Sequence, residues 1–131
     1  MRRSAYLDAS AVVKLAVPEA ESLALVEYLD EPRHCITSAL SLAEVARGIR
    51  RADPRRESPD EVMSAFHLVD VDAAVLKHAG RLEPVTLRAL DAIHLASALS
   101  LGITDLDFVT YDDRLAHAAR THGLRVVRPG R

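Results

Sequence analysis

The sequence predicts an α/β fold in which a central, mostly parallel sheet is covered by helices on both faces. Short apolar runs of strand length alternate with longer amphipathic helical patterns, which is typical of a parallel sheet with helical crossovers. Of the 131 residues, 49% are hydrophobic and 27% are charged, as in an ordinary globular protein. This length suits one domain, and we expect residues 1–131 to form a single one.

The first half of the chain is expected to contain three strands. The first strand covers SAYLD and ends at Asp8. It is followed by a short helical turn, a break at Pro18 and a helix through SLALVEYLD. The second strand covers HCIT, and Ser38 is the predicted N-cap of a helix through ALSLAEVARGIRRA that Pro54 stops. A short helix over SPDEVMSAF, opened by Ser58, and a third strand over HLVDV complete this half.

The second half of the chain continues the alternation of strands and helices. Asp72 is expected to cap a helix over AAVLKHAGRL that ends before Pro84. The next helix covers ALDAIHLASAL and extends to Gly102. A fourth strand over DFVTYD, a helix over DRLAHAARTHG closed by Gly123 and an edge strand over LRVVRP follow.

Composition excludes several classes of protein. Cys35 is the only cysteine, which excludes an internal disulfide and a cysteine-based zinc cluster and suits a reducing cytoplasm. Asp8 and Lys14 interrupt an N-terminal apolar segment that otherwise resembles a signal peptide. No run approaches the roughly 18 apolar residues of a membrane span. We therefore expect a cytoplasmic protein that does not engage a membrane.

Arginine supplies nearly all of the positive charge. Of the 17 Lys and Arg residues only Lys14 and Lys77 are lysines, and the net charge is −2. Arg47, Arg50 and Arg51 lie within the basic stretch RGIRRADPRR. This stretch is either a solvated helix end or a surface that binds phosphates or a partner, and the sequence leaves both interpretations open.

Four carboxylates from four separate elements are candidates for one site. Asp91 stands on a helical stripe that otherwise carries leucines, where a carboxylate is costly unless something compensates it. Asp8 and Asp112 come at the ends of the first and fourth strands, and such ends face the crevice in which α/β sheets bind ligands. Glu44 lies at the margin of its own helix's apolar face.

A hard divalent cation would compensate these acids. Clustered carboxylates repel one another in a low-dielectric interior, whereas Mg²⁺ or Mn²⁺ prefers oxygen ligands and bridges them to phosphates. Each acid also has a structural interpretation. Asp8, Asp91 and Asp112 could cap helices, Asp113 could be a first-turn acid, and Glu44 could be solvated.

The acids lie within four longer segments: YLDASAVVKLAVPEAES, TSALSLAEVARGI, LRALDAIHLASAL and FVTYDDRLAHAARTHGLRVV. In order and spacing these resemble the four acidic motifs of PIN-domain proteins, and most closely the VapC-like toxin ribonucleases of bacterial toxin–antitoxin pairs. The resemblance runs from Tyr6 to Val127. It implies a PIN-like α/β/α sandwich and an enzyme that hydrolyses RNA phosphodiester bonds with Mg²⁺ or Mn²⁺.

The resemblance also implies roles for individual residues. Matched by position, Asp8 and Asp91 hold the main ion, Glu44 orients its water or acts as base, and Asp112 supports a second ion or the entering water. Asp113 is the alternative fourth acid and metal ligand. The expected substrate contacts are the hydroxyl residues beside the first and fourth acids and the basic stretch, namely Ser10, Thr110, Arg47, Arg50 and Arg51.

Two protein partners follow from the same resemblance. One is a second copy of the chain, because the helices over SLALVEYL and LSLAEVARGI carry more apolar surface than exposed helices usually do. The other is a cognate antitoxin, whose amphipathic segment would lie between the helices that start near Glu19 and Ser38. An arginine at its end would compete with the ion for the carboxylate oxygens.

Other functions fit less well. A receiver domain needs an acidic pair on its first strand and an Asp-x-Asp phosphatase needs two aspartates, whereas this chain has Asp8-Ala9-Ser10. A PIN nuclease that is not a toxin and a non-catalytic PIN-fold binding module remain as alternatives. The six histidines show no zinc-like spacing, and His94 is expected in the core or at the surface rather than at the substrate. With only three Tyr, two Phe and no Trp, RNA recognition should rely on arginines and RNA shape.

Overall fold

A computed structural model describes residues 3–31, 33–56 and 58–131 of the chain. No helix in these ranges is long and apolar enough to cross a membrane. The elements follow in the order β1 (Arg3–Leu7), α1 (Ala9–Ala16), α2 (Ser22–Leu29), β2 (Arg33–Ser38), α3 (Ser41–Ala52), α4 (Asp60–Met63), β3 (His67–Val69), α5 (Ala73–Arg81), α6 (Ala89–Ser100), β4 (Leu106–Val109), α7 (Asp113–Thr121) and β5 (Arg125–Val127).

The five strands form one sheet in which every pairing is parallel, in the order β3-β2-β1-β4-β5. At the centre, Tyr6 of β1 lies opposite Ile36 of β2 on one side and Phe108 of β4 on the other. The chain builds the sheet from β1 through β2 to β3, then crosses back to add β4 and β5. The winding direction therefore changes between β1 and β4, and at such a switch point the strand ends border a ligand crevice.

Alternating residues of β1 enter two separate cores, because successive side chains of a strand point to opposite faces. Leu7 packs in a cluster with Val45 of α3. Tyr6 packs on the other face with Leu95 of α6, and its ring stacks on Phe108 with centroids 5.5 Å apart. The sheet is thus the middle layer of an α/β/α sandwich, which confirms the predicted fold class.

The predicted N-cap at Ser38 is wrong. Ser38 is the last residue of β2, and α3 begins only at Ser41. The Ser38 hydroxyl instead accepts a hydrogen bond from the backbone N–H of Leu40, 3.0 Å away, within the turn before the helix. The caps predicted at the other end of the chain are confirmed: Asp72 accepts from the N–H of Val75, and Gly123 follows α7 with φ of +86°.

The strands β1, β3, β4 and β5 all end earlier than predicted. For β1 and β4 the reason is that the residues after them have other partners. β1 stops at Leu7, since Asp8 is the N-cap of α1. β4 stops at Val109, since Thr110 bonds to Asp8 and Asp112 caps α7. The residues that follow β1 and β4 at the switch point, Asp8, Thr110 and Asp112, therefore all carry polar side chains.

Gly48 allows α3 to lie close against α1. A Cβ atom at this position would be 2.8 Å from Cγ2 of Val13, closer than such atoms pack. This approach matters for the site, because α1 follows Asp8 and α3 carries Glu44.

Candidate active site

Asp8 is a buried carboxylate at the switch point, with only 3% of its surface exposed. Its Oδ1 accepts hydrogen bonds from the Ser10 hydroxyl (2.7 Å) and from the N–H of Ala11 (3.1 Å), and its Oδ2 accepts from Thr110 (2.7 Å). The bond to Ala11 makes Asp8 the N-cap of α1, so the capping interpretation is correct without excluding a chemical role. Burial raises the pKa of Asp8, although nearby His94 and the three hydrogen bonds lower it.

Ser10 and Thr110 connect Asp8 to the loop after β4. Each hydroxyl donates its only proton to the Asp8 carboxylate. Ser10 also accepts from the N–H of Tyr111 (3.0 Å), and Thr110 accepts from the N–H of Asp112 (3.1 Å). Both hydroxyls therefore hold the carboxylate in place here, and their contact with substrate stays a prediction.

Glu44 is joined to α6 by His94. The Nε2 atom of His94 is 2.6 Å from Oε1 of Glu44, and Nδ1 is 2.8 Å from the hydroxyl of Tyr6. A carboxylate can only accept a hydrogen bond, so Nε2 of His94 donates to Glu44. Burial raises the pKa of Tyr6 far above its ordinary value, which keeps the phenol protonated. The solvated interpretation of Glu44 is wrong, since its side chain is 25% exposed and bonded to His94.

Arg88 lies between two of the predicted acids. Its Nε is 3.5 Å from Oδ2 of Asp91, and its Nη2 is 3.5 Å from Oδ2 of Asp112. Burial raises the pKa of Asp91 and neighbouring Asp112 raises it further, while Arg88 lowers it. Arg88 is thus the cation that compensates Asp91 in this structure, and sequence reasoning missed it. The available signal was its position three residues before Asp91, a spacing at which helical side chains meet.

Asp91 does not cap a helix, because α6 begins at Ala89 and Asp91 stands in its first turn. Asp112 does cap α7, accepting from the N–H of Leu115 at 2.8 Å. The capping interpretation is therefore wrong for Asp91 and correct for Asp112.

Asp112 and Asp113 face different surroundings. The Asp112 side chain is 27% exposed and lies beside Arg88, whereas that of Asp113 is 83% exposed. Asp113 pairs with Arg128 at 2.8 Å and with Arg131 at 3.7 Å. The hydrogen bond from Arg128 lowers the pKa of Asp113. Of the two neighbours, only Asp112 shares a cation with Asp91.

The arginines of the basic stretch, Arg47, Arg50 and Arg51, line a hollow of about 220 Å³ together with Pro54. None of the predicted acids lines this hollow. On α3, Arg47 lies three residues and Arg51 seven residues beyond Glu44, which is about 4.5 and 10 Å along the helix axis at 1.5 Å per residue. The contact of these arginines with substrate stays a prediction.

The acids offer the donor set of a hard cation, since Asp8, Asp91 and Asp112 present only carboxylate oxygens. Within the described ranges, no group of three or more His, Cys, Asp or Glu side chains is close enough to form a ready metal site. Arg88 contacts two of the three carboxylates. A divalent cation and Arg88 would therefore compete for the same oxygens.

Comparisons with known proteins place the chain in a family and confirm its fold. The PIN domain family matches residues 5–121. Ribonuclease VapC46 of Mycobacterium tuberculosis is 46% identical over 125 residues, which cover 95% of this chain and 96% of the relative. The crystal structure of Mycobacterium tuberculosis VapC20, described as a Sarcin-Ricin loop cleaving toxin, superposes with a TM-score of 0.71 at 17% identity and covers 95% and 99% of the two chains. A toxin–antitoxin complex from Klebsiella pneumoniae gives a TM-score of 0.64 at 20% identity, with coverages of 82% and 86%. The two solved structures share the fold.

Proposed function

This chain belongs to the PIN-domain family as a VapC-like toxin ribonuclease, and on that basis we propose that Asp8, Glu44, Asp91 and Asp112 form its catalytic site. The observation that best supports this site is the guanidinium of Arg88, which spans Asp91 and Asp112. Two carboxylates that contact one guanidinium lie near each other, which supports their assignment to one metal site. We propose further that residues 1–131 act as one PIN domain.

The ion we propose is Mg²⁺ or Mn²⁺, held by Asp8, Asp91 and Asp112. When bound, it would neutralise charge on the phosphodiester and lower the pKa of a coordinated water. Asp112 is preferred over Asp113 as the fourth acid, because Asp113 is already paired with Arg128 and Arg131. Replacement of Arg88 at the carboxylates would accompany loading of the site.

The chain's own residues suit hydrolysis by direct attack of water. Glu44, held by His94, would orient the water and accept its proton. The water oxygen forms a bond to phosphorus while the bond from phosphorus to the 3′ oxygen breaks and that oxygen takes up a proton. The products carry 5′-phosphate and 3′-hydroxyl ends. Ser10 and Thr110 would keep the Asp8 carboxylate in position throughout.

We propose an antitoxin protein as the physiological inhibitor, in the cytoplasm where the RNA substrate is found. The Klebsiella pneumoniae neighbour is described as a toxin–antitoxin complex, which supports such a partner here. An arginine of the antitoxin would take the place that Arg88 occupies between the carboxylates. α1 packs against both α2 and α3, so it would form the floor of the predicted groove between them. Arg47, Arg50 and Arg51 would contact acidic residues of the partner or RNA distant from the cleaved bond.

A homodimer through α2 and α3 is the second proposed assembly. Leu23 and Val26 of α2 are 71% and 52% exposed, and Leu42 of α3 is 41% exposed. Large apolar side chains exposed on neighbouring elements are typical of a protein interface. Light scattering at tens of micromolar protein tests this, and a monomer at that concentration would contradict it.

The central experiment is cleavage of bacterial RNA by the purified protein. We expect cleavage with Mg²⁺ or Mn²⁺, none with EDTA, and none with Asp8→Asn or Asp91→Asn at unchanged far-UV circular dichroism. Full activity in EDTA or in either variant would overturn the proposed site.

The toxin role is tested in cells, where we expect expression of the protein to arrest growth and co-expression of the antitoxin to relieve the arrest. Cleavage without arrest would indicate a PIN nuclease that is not a toxin, and RNA binding without cleavage would indicate a binding module.

A further inference from the structure

A cleft of about 600 Å³ lies between α7 and the segment that precedes α6. One wall is formed by Pro84, Thr86 and Leu87 and the other by Asp113, Arg114 and His117 of α7. We propose that this cleft binds the RNA strand next to the cleaved phosphodiester, an inference that rests on the ribonuclease function proposed above.

Each wall of the cleft is followed or preceded in the chain by a residue of the candidate active site. On the α7 wall, Asp113 directly follows Asp112. On the opposite wall, Leu87 is followed by Arg88, whose guanidinium reaches both Asp91 and Asp112. An RNA strand with one phosphate at the acids would therefore place its adjacent nucleotides in the cleft.

The two walls are tied together at the end away from the acids, where Nε2 of His122 donates to the carbonyl oxygen of Glu83 at 2.8 Å. At the acid end, Arg88 reaches across to Asp112 in the metal-free protein. The His122 hydrogen bond does not involve the carboxylates, so that end of the cleft is formed before a ligand arrives, which lowers the entropic cost of binding.

The charges of the α7 wall suit a polyanion. Arg114 and His117 are exposed one turn apart, and Arg114 forms no ion pair with any other residue that the structure describes. The carboxylate of Asp113 is paired with Arg128 and Arg131, which reduces its repulsion of a phosphate. Such a wall favours phosphate contacts, which dominate the affinity of proteins for nucleic acids.

The opposite wall suits the sugar and base. Pro84 and Leu87 present apolar surface. The Thr86 hydroxyl can donate to or accept from a ribose 2′-hydroxyl, the group that distinguishes RNA from DNA. None of the six lining residues is Tyr or Phe, so recognition here does not use stacking on those rings.

The test is binding of a fluorescein-labelled, unstructured RNA of about 12 nucleotides, measured by fluorescence anisotropy. The Asp8→Asn background prevents cleavage of the probe. We expect Arg114→Ala to weaken binding roughly ten-fold and to lower the slope of log affinity against log salt by about 0.7, the effect of one lost phosphate contact on a single strand. Arg114→Lys should retain most of the affinity, since it keeps the charge. Arg120→Ala is the matched control, because it removes the same charge from α7 outside the cleft.

The outcomes separate this proposal from the proposed function. Equal affinities for Arg114→Ala and Arg120→Ala would overturn the cleft as an RNA site. So would loss of antitoxin binding by Arg114→Ala with unchanged RNA binding, which would assign the cleft to the protein partner. Absence of cleavage by the wild type would overturn the ribonuclease function alone, and a ten-fold effect of Arg114→Ala on RNA binding would still support the cleft.

Discussion

The Nε2 atom of His94 lies 2.6 Å from Oε1 of Glu44 and joins α6 to α3 at the candidate active site. The ring is 2% exposed, and its other nitrogen bonds to the Tyr6 hydroxyl. A carboxylate held by a buried ring that is itself bonded at its other nitrogen has one preferred orientation. His94 is therefore placed to position Glu44 without touching the substrate.

Replacement of His94 should reduce the cleavage rate more than the affinity for RNA. We expect His94→Ala to lower kcat about 10- to 100-fold with little change in KM, the usual cost of losing such a supporting partner. His94→Gln, which retains a side-chain N–H donor, should recover part of the rate. Steady-state kinetics on a defined RNA would measure both constants, with thermal unfolding to monitor the fold. If the Gln variant recovers stability but no activity, His94 has a structural role only.

Removal of Arg88 should change the response of the protein to metal. Without this cation the repulsion between Asp91 and Asp112 is uncompensated, so the metal-free protein should lose stability. The Arg88 side chain is 70% exposed, and we expect Arg88→Ala to cost less than about 1 kcal/mol. Because Arg88 no longer competes, Mg²⁺ should raise the melting temperature of this variant at lower concentration than that of the wild type.

Differential scanning fluorimetry over a Mg²⁺ series measures this response without reference to activity. Arg120→Ala serves as the control for loss of one arginine. An Arg88→Ala variant whose Mg²⁺ response matches that of the wild type would contradict competition at these carboxylates.

Asp112→Asn and Asp113→Asn form a matched pair of variants. Asn caps helices about as well as Asp, so Asp112→Asn should keep the start of α7 intact. We expect Asp112→Asn to reduce cleavage at least roughly 100-fold, as loss of a group that acts directly in catalysis does. Asp113→Asn should change it little, because Asp113 is 83% exposed and paired away from Asp91. Rates measured side by side decide the assignment, and the reverse ranking would make Asp113 the fourth acid.

The stability of the metal-free protein should depend on pH through Asp8. Burial raises the pKa of Asp8, so the folded protein keeps this proton at pH values where the unfolded chain has lost it. The ionised form therefore destabilises the folded state above the raised pKa, and this destabilisation disappears as the pH falls through it. Asp8→Asn cannot ionise and lacks the effect.

Urea unfolding in EDTA would show the difference between wild type and Asp8→Asn. The variant's advantage should be largest at neutral pH and should shrink towards about pH 4, near the pKa of an unfolded aspartate. A difference that stays constant with pH would show that the Asp8 carboxylate is not destabilised by its burial.

The positions of the acids could be predicted from the sequence, whereas their partners could not. Parallel strands bring their carboxyl ends to one edge, which is why Asp8 and Asp112 could be placed together before the strand order was known. His94 and Arg88 were visible as neighbours of Asp91, but the residues they face depend on how α6 packs against α3 and α7. The N-cap prediction at Ser38 was wrong for a local reason, because a serine hydroxyl can accept from the backbone N–H of a turn as readily as from that of a helix.

Asp107 is the clearest residue whose role the sequence did not indicate. It stands in β4, where apolar residues are expected, and is 3% exposed. Its carboxylate pairs with arginines of three other strands and accepts a hydrogen bond from the Tyr28 hydroxyl at the end of α2. The arginine contacts are Arg3 at 3.4 Å, Arg33 at 3.5 Å and Arg125 at 2.5 Å. Only the strand order β2-β1-β4-β5 brings these arginines to one carboxylate.

Loss of the Asp107 carboxylate should destabilise the fold and leave the chemistry intact. Removing one member of a buried ionic group leaves its partners uncompensated, and the Arg33 side chain is only 8% exposed. We expect Asp107→Ala to lower the free energy of unfolding by about 3 kcal/mol or more in urea titrations. Asp105→Ala, two residues earlier and exposed, should change it by less than about 0.5 kcal/mol.

The cluster around Asp107 involves the first residues of β1, β2 and β5, away from the strand ends that carry the acids. Cleavage per folded molecule should therefore be unchanged for Asp107→Ala. Wild-type stability in this variant would show that the arginines find equivalent partners in solvent, and loss of cleavage at full folding would show that the two ends of the sheet are coupled.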